Sequence, residues 1–380
     1  MSVSYGGDSI TFADGSTVAS GFTGFKNRII NGAMVIDQRN AGVSVTPSLS
    51  ASYTLDRWIT NFTQASKYSV QQTPSATETG FATRVAAGFQ NYLACTTGAS
   101  ANVTVGAGDF FTIGTNIEGF NTADLSYGTA SAKTITISFL VYSSLTGTFG
   151  AAVHNGAANR SYPFTYSIPV ANTWTTISVT IAGDTSGTWV GATNGVGMRL
   201  YFSLGTGATY QATANAWSSA TAFAPSGCVS PITTNSATFF ITGVQLERGS
   251  TASSFEYRSY GAELALCQRY CYVMRSASTL SQVGFSSAQS TASAFLGIYL
   301  PVTPRTNPTG ITASSGSCLN SYAANSNVPT TVIAIPSGWT FAGNFVTMQL
   351  TTAGSLVAGQ VSPTYFNSAT ATIEFTGMEL

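Results

Sequence analysis

The residues that ionise, ligate or attack are few in this chain, and their spacing argues against catalysis. Its one histidine, His154, sits in the turn-like stretch AAVHNGAANR and reads as an exposed loop residue. A single imidazole leaves little room for a Ser-His-Asp triad or a histidine-rich metal centre. The five cysteines, Cys95, Cys228, Cys267, Cys271 and Cys318, are odd in number and scattered, which is not a disulfide framework. Cys267 and Cys271 are four apart and share a face if helical. With no third ligand nearby they read as small apolar helix residues in a chain made in a reducing compartment. Paired carboxylates could still hydrolyse glycosides. The acids before Glu247 are Asp8, Asp14, Asp37, Asp56, Glu78, Asp109, Glu118, Asp124 and Asp184, and no local arrangement singles one out. Asp184 could ligate Ca²⁺ in its loop, but one carboxylate does not by itself define a site. These counts favour a binding or structural protein over an enzyme, with no metal and no cofactor.

Aromatic side chains offer a different chemistry, stacking against the C–H faces of sugars while amides and hydroxyls bond the sugar hydroxyls. Of the five tryptophans, Trp58 follows Asp56-Arg57 and Trp174 opens an alternating strand, so both read as packed. Trp189 follows the turn GDTSGT, Trp217 sits in the polar loop QATANAWSSAT, and Trp339 follows Pro336-Ser337-Gly338. These three are the exposed candidates, although packing is the commoner role of any tryptophan. Tyr210, Gln211 and Asn215 neighbour Trp217 and could complete a glycan site.

The elements that must position these residues are strands. From Phe25 to about residue 248 short alternating segments are separated by turn signals, with no helical periodicity. Thr134–Phe139 and Thr176–Ile181 alternate strictly; 198–202 and 238–242 do so less strictly. The length and pattern predict a jelly-roll β-sandwich over 26–258, with Ile, Val and Phe inward and Ser and Thr outward. Residues 1–25 form a short polar leader with Asp14-Gly15 as a hairpin turn pair, too small to fold alone. Residues 259–275 predict a linker helix, and 276–380 a second, smaller β-sandwich domain. TFFITGVQL (238–246) and TIEFTGMEL (372–380) echo each other, each closing one of the two β units.

One segment breaks this uncharged background. Charged residues are 7% of the chain, yet Glu247, Arg248, Glu256, Arg258, Glu263, Arg269 and Arg275 place a quarter of its 14 basic and 14 acidic side chains in 31 residues. The reading is a joint where two β units, or several subunits, meet in register, since charges fix register better than apolar surface does. Glu263, Leu264, Cys267, Arg269 and Cys271 are its expected residues. Zero net charge argues against nucleic acid. No apolar run approaches a membrane span, and MSVSYGGDSITF does not read as a signal peptide.

Three ordered motifs carry a resemblance. NRIINGAMVIDQRNAG with YTLDRW (27–42, 53–58), NTWTTISVTIAGDTSGTWVGATNGVGMRLYFSLGTG (172–207) and TFFITGVQLERGSTASSFEYRSYGAELALCQRYCYVM (238–274) resemble the opening, middle and close of a domain of bacteriophage tail-fibre and related virion proteins. SITFADGSTVASG resembles their short pre-fibre segments. The resemblance implies a carbohydrate-binding-module-like jelly roll in a homotrimeric fibre, located in the virion and made in the host cytoplasm. It implies attachment to other virion proteins through the leader, with Ile10, Phe12 and Asp14 as candidate contacts, and recognition of host surface polysaccharide. The alternative is a structural neck, baseplate or capsid-decorating fibre without glycan binding. The last 105 residues are poorly covered by the resemblance.

Overall fold

The computed structural model of the chain describes residues 4–6, 9–11, 17–19, 26–74, 78, 80–99, 103–323, 325–338 and 342–380. Three short strands, β1 (Ser4–Gly6), β2 (Ser9–Thr11) and β3 (Thr17–Ala19), pair antiparallel as a sheet of their own. Phe12, Asp14 and the side chain of Ile10 lie outside the described residues.

Eleven strands then build the sandwich. They are β4 (Ser52–Leu55), β5 (Trp58–Phe62), β6 (Tyr68–Pro74), β7 (Asn91–Thr97), β8 (Phe110–Glu118), β9 (Ile135–Ser143), β10 (Gly147–Asn155), β11 (Ser161–Ile168), β12 (Thr175–Ile181), β13 (Val196–Thr206) and β14 (Thr238–Arg248). Six pair in the order β11-β10-β13-β8-β5-β4 and five in the order β12-β9-β14-β7-β6, the chain crossing between the sheets as a jelly roll does. The two strictly alternating segments became β9 and β12 and pair with each other, Ile177 opposite Phe139 and Val179 opposite Ile137. Thr176, Ser178 and Thr180 between them face solvent. The inward set includes Phe111, Phe139, Phe149, Phe164, Phe202 and Phe239, each at most 1% exposed. The edge strand β12 exposes alternate residues, whereas β8, β10, β13 and β14 are buried along most of their length on both faces; the inward apolar set fixes the register. One short helix, α1 (Phe81–Ala86), interrupts a region expected to hold only strands. Its Arg84 is buried against Glu78 at 2.7 Å and lies 5.0 Å over the Tyr92 ring.

The predicted linker helix is α2 (Tyr260–Gln268). It is shorter than the 259–275 expected, because Tyr272 to Arg275 turns into a strand. The strands after α2 are β15 (Tyr272–Arg275), β16 (Gln282–Ala288), β17 (Ser293–Tyr299), β18 (Gly310–Ala313), β19 (Leu319–Ala323), β20 (Ser326–Ala334), β21 (Phe345–Thr352), β22 (Val361–Phe366) and β23 (Thr372–Thr376). This unit is all-β with its own core, including Leu296, Leu319, Met348, Leu350, Ile373 and Phe375. Its strands differ in layout from two stacked sheets: β16-β17-β21-β20-β19-β22 close into a barrel, with a three-stranded sheet β15-β23-β18 beside it. Closure removes free edges, which suits a unit with almost no charge to guard them. The sequence echo has a backbone counterpart. β14 and β23 are both central strands, and their matched glycines, Gly243 at φ 61° and Gly377 at φ 86°, both take the left-handed conformation. Gly243 sits in a register shift of the β14–β9 ladder, and Gly377 ends β23.

Candidate functional site

The charged segment forms a joint within one chain, and both resemblance motifs at the start of the sandwich belong to it. Glu256 accepts the backbone N–H of Asn27, and Glu263 accepts that of Asn31. Arg258 pairs with Glu263 at 3.2 Å and donates to the carbonyls of Asn27 and Ile29. Arg269 pairs with the buried Glu118 through two bonds, at 2.6 and 3.0 Å, and the Tyr270 hydroxyl donates to the same carboxylate. Burial alone would raise the Glu118 carboxyl; the bonds from Arg269 and Tyr270 outweigh it and hold it below the usual range. Cys267 and Tyr270 are buried with Ile30 and Ile36, and Leu264 packs against them. Cys271 is buried, its Sγ 3.9 Å from Glu374. All five cysteines are free.

The far end of the chain closes the joint. Glu374 and Glu379 bond Arg39 at 2.8 and 2.9 Å, and Glu379 also bonds Arg57 at 2.7 Å. Arg57 is in the β4–β5 turn at φ 69°, buried, with its guanidinium 3.6 Å from the Tyr270 ring centroid. Beside it, burial pushes the Asp56 carboxyl up to about 6, while Arg39 and the bonds from Gln38 pull the other way. The Leu380 carbonyl accepts from Tyr53 and Asn116 on the outer face of the six-stranded sheet. The C-terminal strand of the second unit therefore ends on the sandwich. Register between the two units is set by ion pairs whose partners lie up to 340 positions apart.

The aromatic candidates divide. Trp58 and Trp174 are buried as expected, their indole N–H groups on the Asn31 carbonyl and Glu78. Trp189 and Trp217 are 28 residues apart in sequence but come together at one end of the sandwich. Their rings stand at 89° with centroids 5.5 Å apart, both packed on Tyr127, and Trp217 also on Tyr162. Both are half-buried. Each N–H is spent internally: Trp189 donates to Asp184 and to the Ser186 carbonyl, Trp217 to the Ala182 carbonyl at 2.8 Å. Asp184 is the clamp of this loop. It receives two bonds from Arg160 at 2.6 and 2.7 Å, one from the Ser186 N–H and one from Trp189. Four donors use its four lone-pair sites, leaving none for Ca²⁺. Exposed amides flank this corner at Asn159 and Asn215, the latter in a turn at φ 58° whose N–H bonds the Pro163 carbonyl.

Tyr210 and Gln211 do not join this corner. The segment 207–228 crosses the outer face of the six-stranded sheet. Tyr210 packs there on Phe110 and Phe223, and the Gln211 amide donates to the Thr206 carbonyl. Trp339 lies outside the described residues. His154 is a correction: it is fully buried in β10, not in an exposed loop. Its Nε2 lies 2.8 Å from the Ala222 carbonyl, its ring stacks on Phe223, and burial lowers its pKa to about 4. The turn that its neighbours signal begins one residue later, after Asn155. Sequence reading also missed Tyr127 and Tyr162, whose strand and turn settings gave no sign that they meet the two tryptophans.

No protein-family model matches the sequence, and no curated protein matches it. Among solved structures, the chain is similar to the enzymatically active domain of tailspike protein 4 of bacteriophage CBA120, at 10% identity and TM-score 0.30, over 59% of this chain and 22% of that one. It is similar to the family 11 carbohydrate-binding module of Clostridium thermocellum in complex with a β-1,3-1,4-mixed-linked tetrasaccharide, at 10% identity and TM-score 0.27, over 55% of this chain and 97% of the module. A third is the module TmCBM61 in complex with β-1,4-galactotriose, at 8% identity and TM-score 0.27, over 59% and 99%. The chain thus spans about a fifth of the tailspike structure and nearly all of each module. The fold described above stands on its own strand pairing.

Proposed function

We infer that the chain is a subunit of a virion fibre, a homotrimer that binds host surface polysaccharide through the ring faces of Trp189 and Trp217. The observation that carries this reading is the tryptophan corner. Two half-exposed indoles are fixed at right angles on a rigid sandwich, with their N–H groups satisfied by the protein and two exposed amides beside them, of which Asn159 accepts from Asn155. Such rings need no reorganisation to stack on a sugar. The virion location rests on the three sequence motifs, and attachment through residues 1–25 on the leader segment SITFADGSTVASG. The trimer is further supported by α2, which leaves Tyr260 65% exposed and lines, through Ala262, Ala265 and Leu266, a groove of about 480 Å³ completed by Glu256, Arg258, Arg269, Val302 and Thr303.

The reading is of a binding protein without catalysis. Glu118, Asp184, Glu263, Glu374 and Glu379 are each engaged by an arginine. The test is labelling of a panel of bacterial strains with the purified protein, before and after their surface polysaccharide is stripped. Labelling that disappears on stripping is the expected result. Labelling of no strain moves the chain to a purely structural fibre. Sedimentation at micromolar concentration should give the mass of three chains, and a monomer would remove the trimer.

A further inference from the structure

The outer wall of the barrel carries a second aromatic surface that the tryptophan corner does not use. Tyr299 on β17 stands opposite Phe345 on β21, with ring centroids 4.9 Å apart and planes at 59°. They are 74% and 37% exposed. The next outward position on β17 is Gly297. A Cβ there would come within 2.5–2.8 Å of the Phe345 ring, so the missing side chain is what lets that ring lie over the strand. On the neighbouring β16, the pairing with β17 begins at Ser286 opposite Leu296, and Phe285 is the residue just before it, on the side toward Gly297 and the same face as Ser287. Phe285 is 63% exposed. Three rings thus line a shallow saddle floored by a glycine, with the Gln349 amide at one end, opposite Phe295.

The charge pattern says what fits there. Residues 276–380 contain three charged side chains, Arg305, Glu374 and Glu379. All three are turned into the joint, Arg305 onto the carbonyls of Met378, Glu379 and Asn194. The barrel wall itself carries no charged side chain, so an anionic polymer has nothing to neutralise it. At about 200 Å² per ring, the exposed parts of Phe285, Tyr299 and Phe345 total about 350 Å². That area suits one or two sugar rings.

We propose that Phe285, Tyr299 and Phe345, arranged around Gly297, form a binding site for an uncharged sugar, separate from the tryptophan corner. The experiment uses the full-length protein on an array of neutral glucose, galactose and mannose oligosaccharides, with polyuronates as the charged comparison. Wild type should bind neutral members. Tyr299→Ser with Phe345→Ser should weaken that binding at least tenfold, and Trp189→Ala with Trp217→Ala should leave a remainder that the barrel variants remove. Gly297→Val keeps every ring but displaces Phe345, and should weaken binding in the same way. Neutral binding unchanged in the Tyr299 and Phe345 variant, or absent in wild type, overturns the proposal. So does a change in sedimentation mass on serine substitution, which would mark the saddle as a contact between copies. Loss of all binding in the tryptophan variant alone leaves the proposed function standing and removes this site.

Discussion

Glu379→Ala should uncouple the two halves of the protein. Its carboxylate holds two arginines, Arg39 at 2.9 Å and Arg57 at 2.7 Å, with side chains only 12% and 2% exposed. Removing one partner of a buried pair leaves a charge without compensation and costs about 3–5 kcal/mol. Arg39 retains Glu374 at 2.8 Å. Arg57 retains the Asn116 carbonyl and the Tyr270 ring, the latter worth about 2 kcal/mol when desolvated. The expected loss is therefore near the lower end, about 3 kcal/mol. Urea unfolding followed by tryptophan fluorescence reports it, because four of the five tryptophans lie in the sandwich. At a slope of about 3 kcal/mol/M the midpoint should fall by about 1 M. Glu374→Ala leaves Arg57 paired and should cost less. A shift below about 0.5 kcal/mol for Glu379→Ala, or an equal shift for both variants, would refute the joint as described.

Three further outcomes follow from the same structure. Burial lowers His154 from 6.5 to about 4, so the stability it allows is complete above pH 6.5 and is lost as pH falls toward 4. That window amounts to about 3 kcal/mol, and His154→Leu should remove it. Asp56, raised from 3.8 to about 6, works in the opposite sense, its contribution present below 3.8 and lost as pH rises through 6, so the measurement is the difference between wild-type and variant urea midpoints across pH 4–7. Parallel curves would contradict the buried imidazole. Asp184→Ala strips four hydrogen bonds from the loop that holds Trp189 and should cost about 3 kcal/mol by thermal unfolding, with altered tryptophan emission; unchanged emission would count against the clamp. Gly243→Ala needs a side chain at φ 61° and brings a Cβ within 2.5–3.0 Å of the buried Phe89 ring; a loss of about 2–4 kcal/mol in urea is expected, and a neutral result would contradict the kinked β14.

Much of the fold was legible in the sequence, because each sandwich strand writes its burial locally. Thr176–Ile181 alternates because one edge-strand face is core and the other is water, so β12 could be read without its partner. The charged segment was legible as a joint for a similar reason, as a local departure from an uncharged background. Its partners were not legible, since Arg39, Arg57 and Glu118 meet it only after the chain has folded across two units. His154 was misread for the same physical reason. Its neighbours encode a turn, while its burial comes from Ala222 and Phe223, 68 and 69 positions later. The candidate site was half legible. Turn signals marked Trp189 and Trp217 as partly exposed, but nothing local said that they touch, or that Tyr210 leaves with the loop that crosses the sheet. The barrel was readable as strands, yet its closure depends on β16 pairing with β22, from Gln282 opposite Tyr365 to Ser287 opposite Val361, segments far apart in the chain.

Glycan binding by the tryptophan corner is tested most directly by comparing wild type with the Trp189→Ala, Trp217→Ala double variant on polysaccharide extracted from a strain that the protein labels. Circular dichroism on both would show that the sandwich is intact. The account predicts that the double variant keeps its fold and loses at least tenfold in affinity. A folded double variant that binds as tightly as wild type would contradict it.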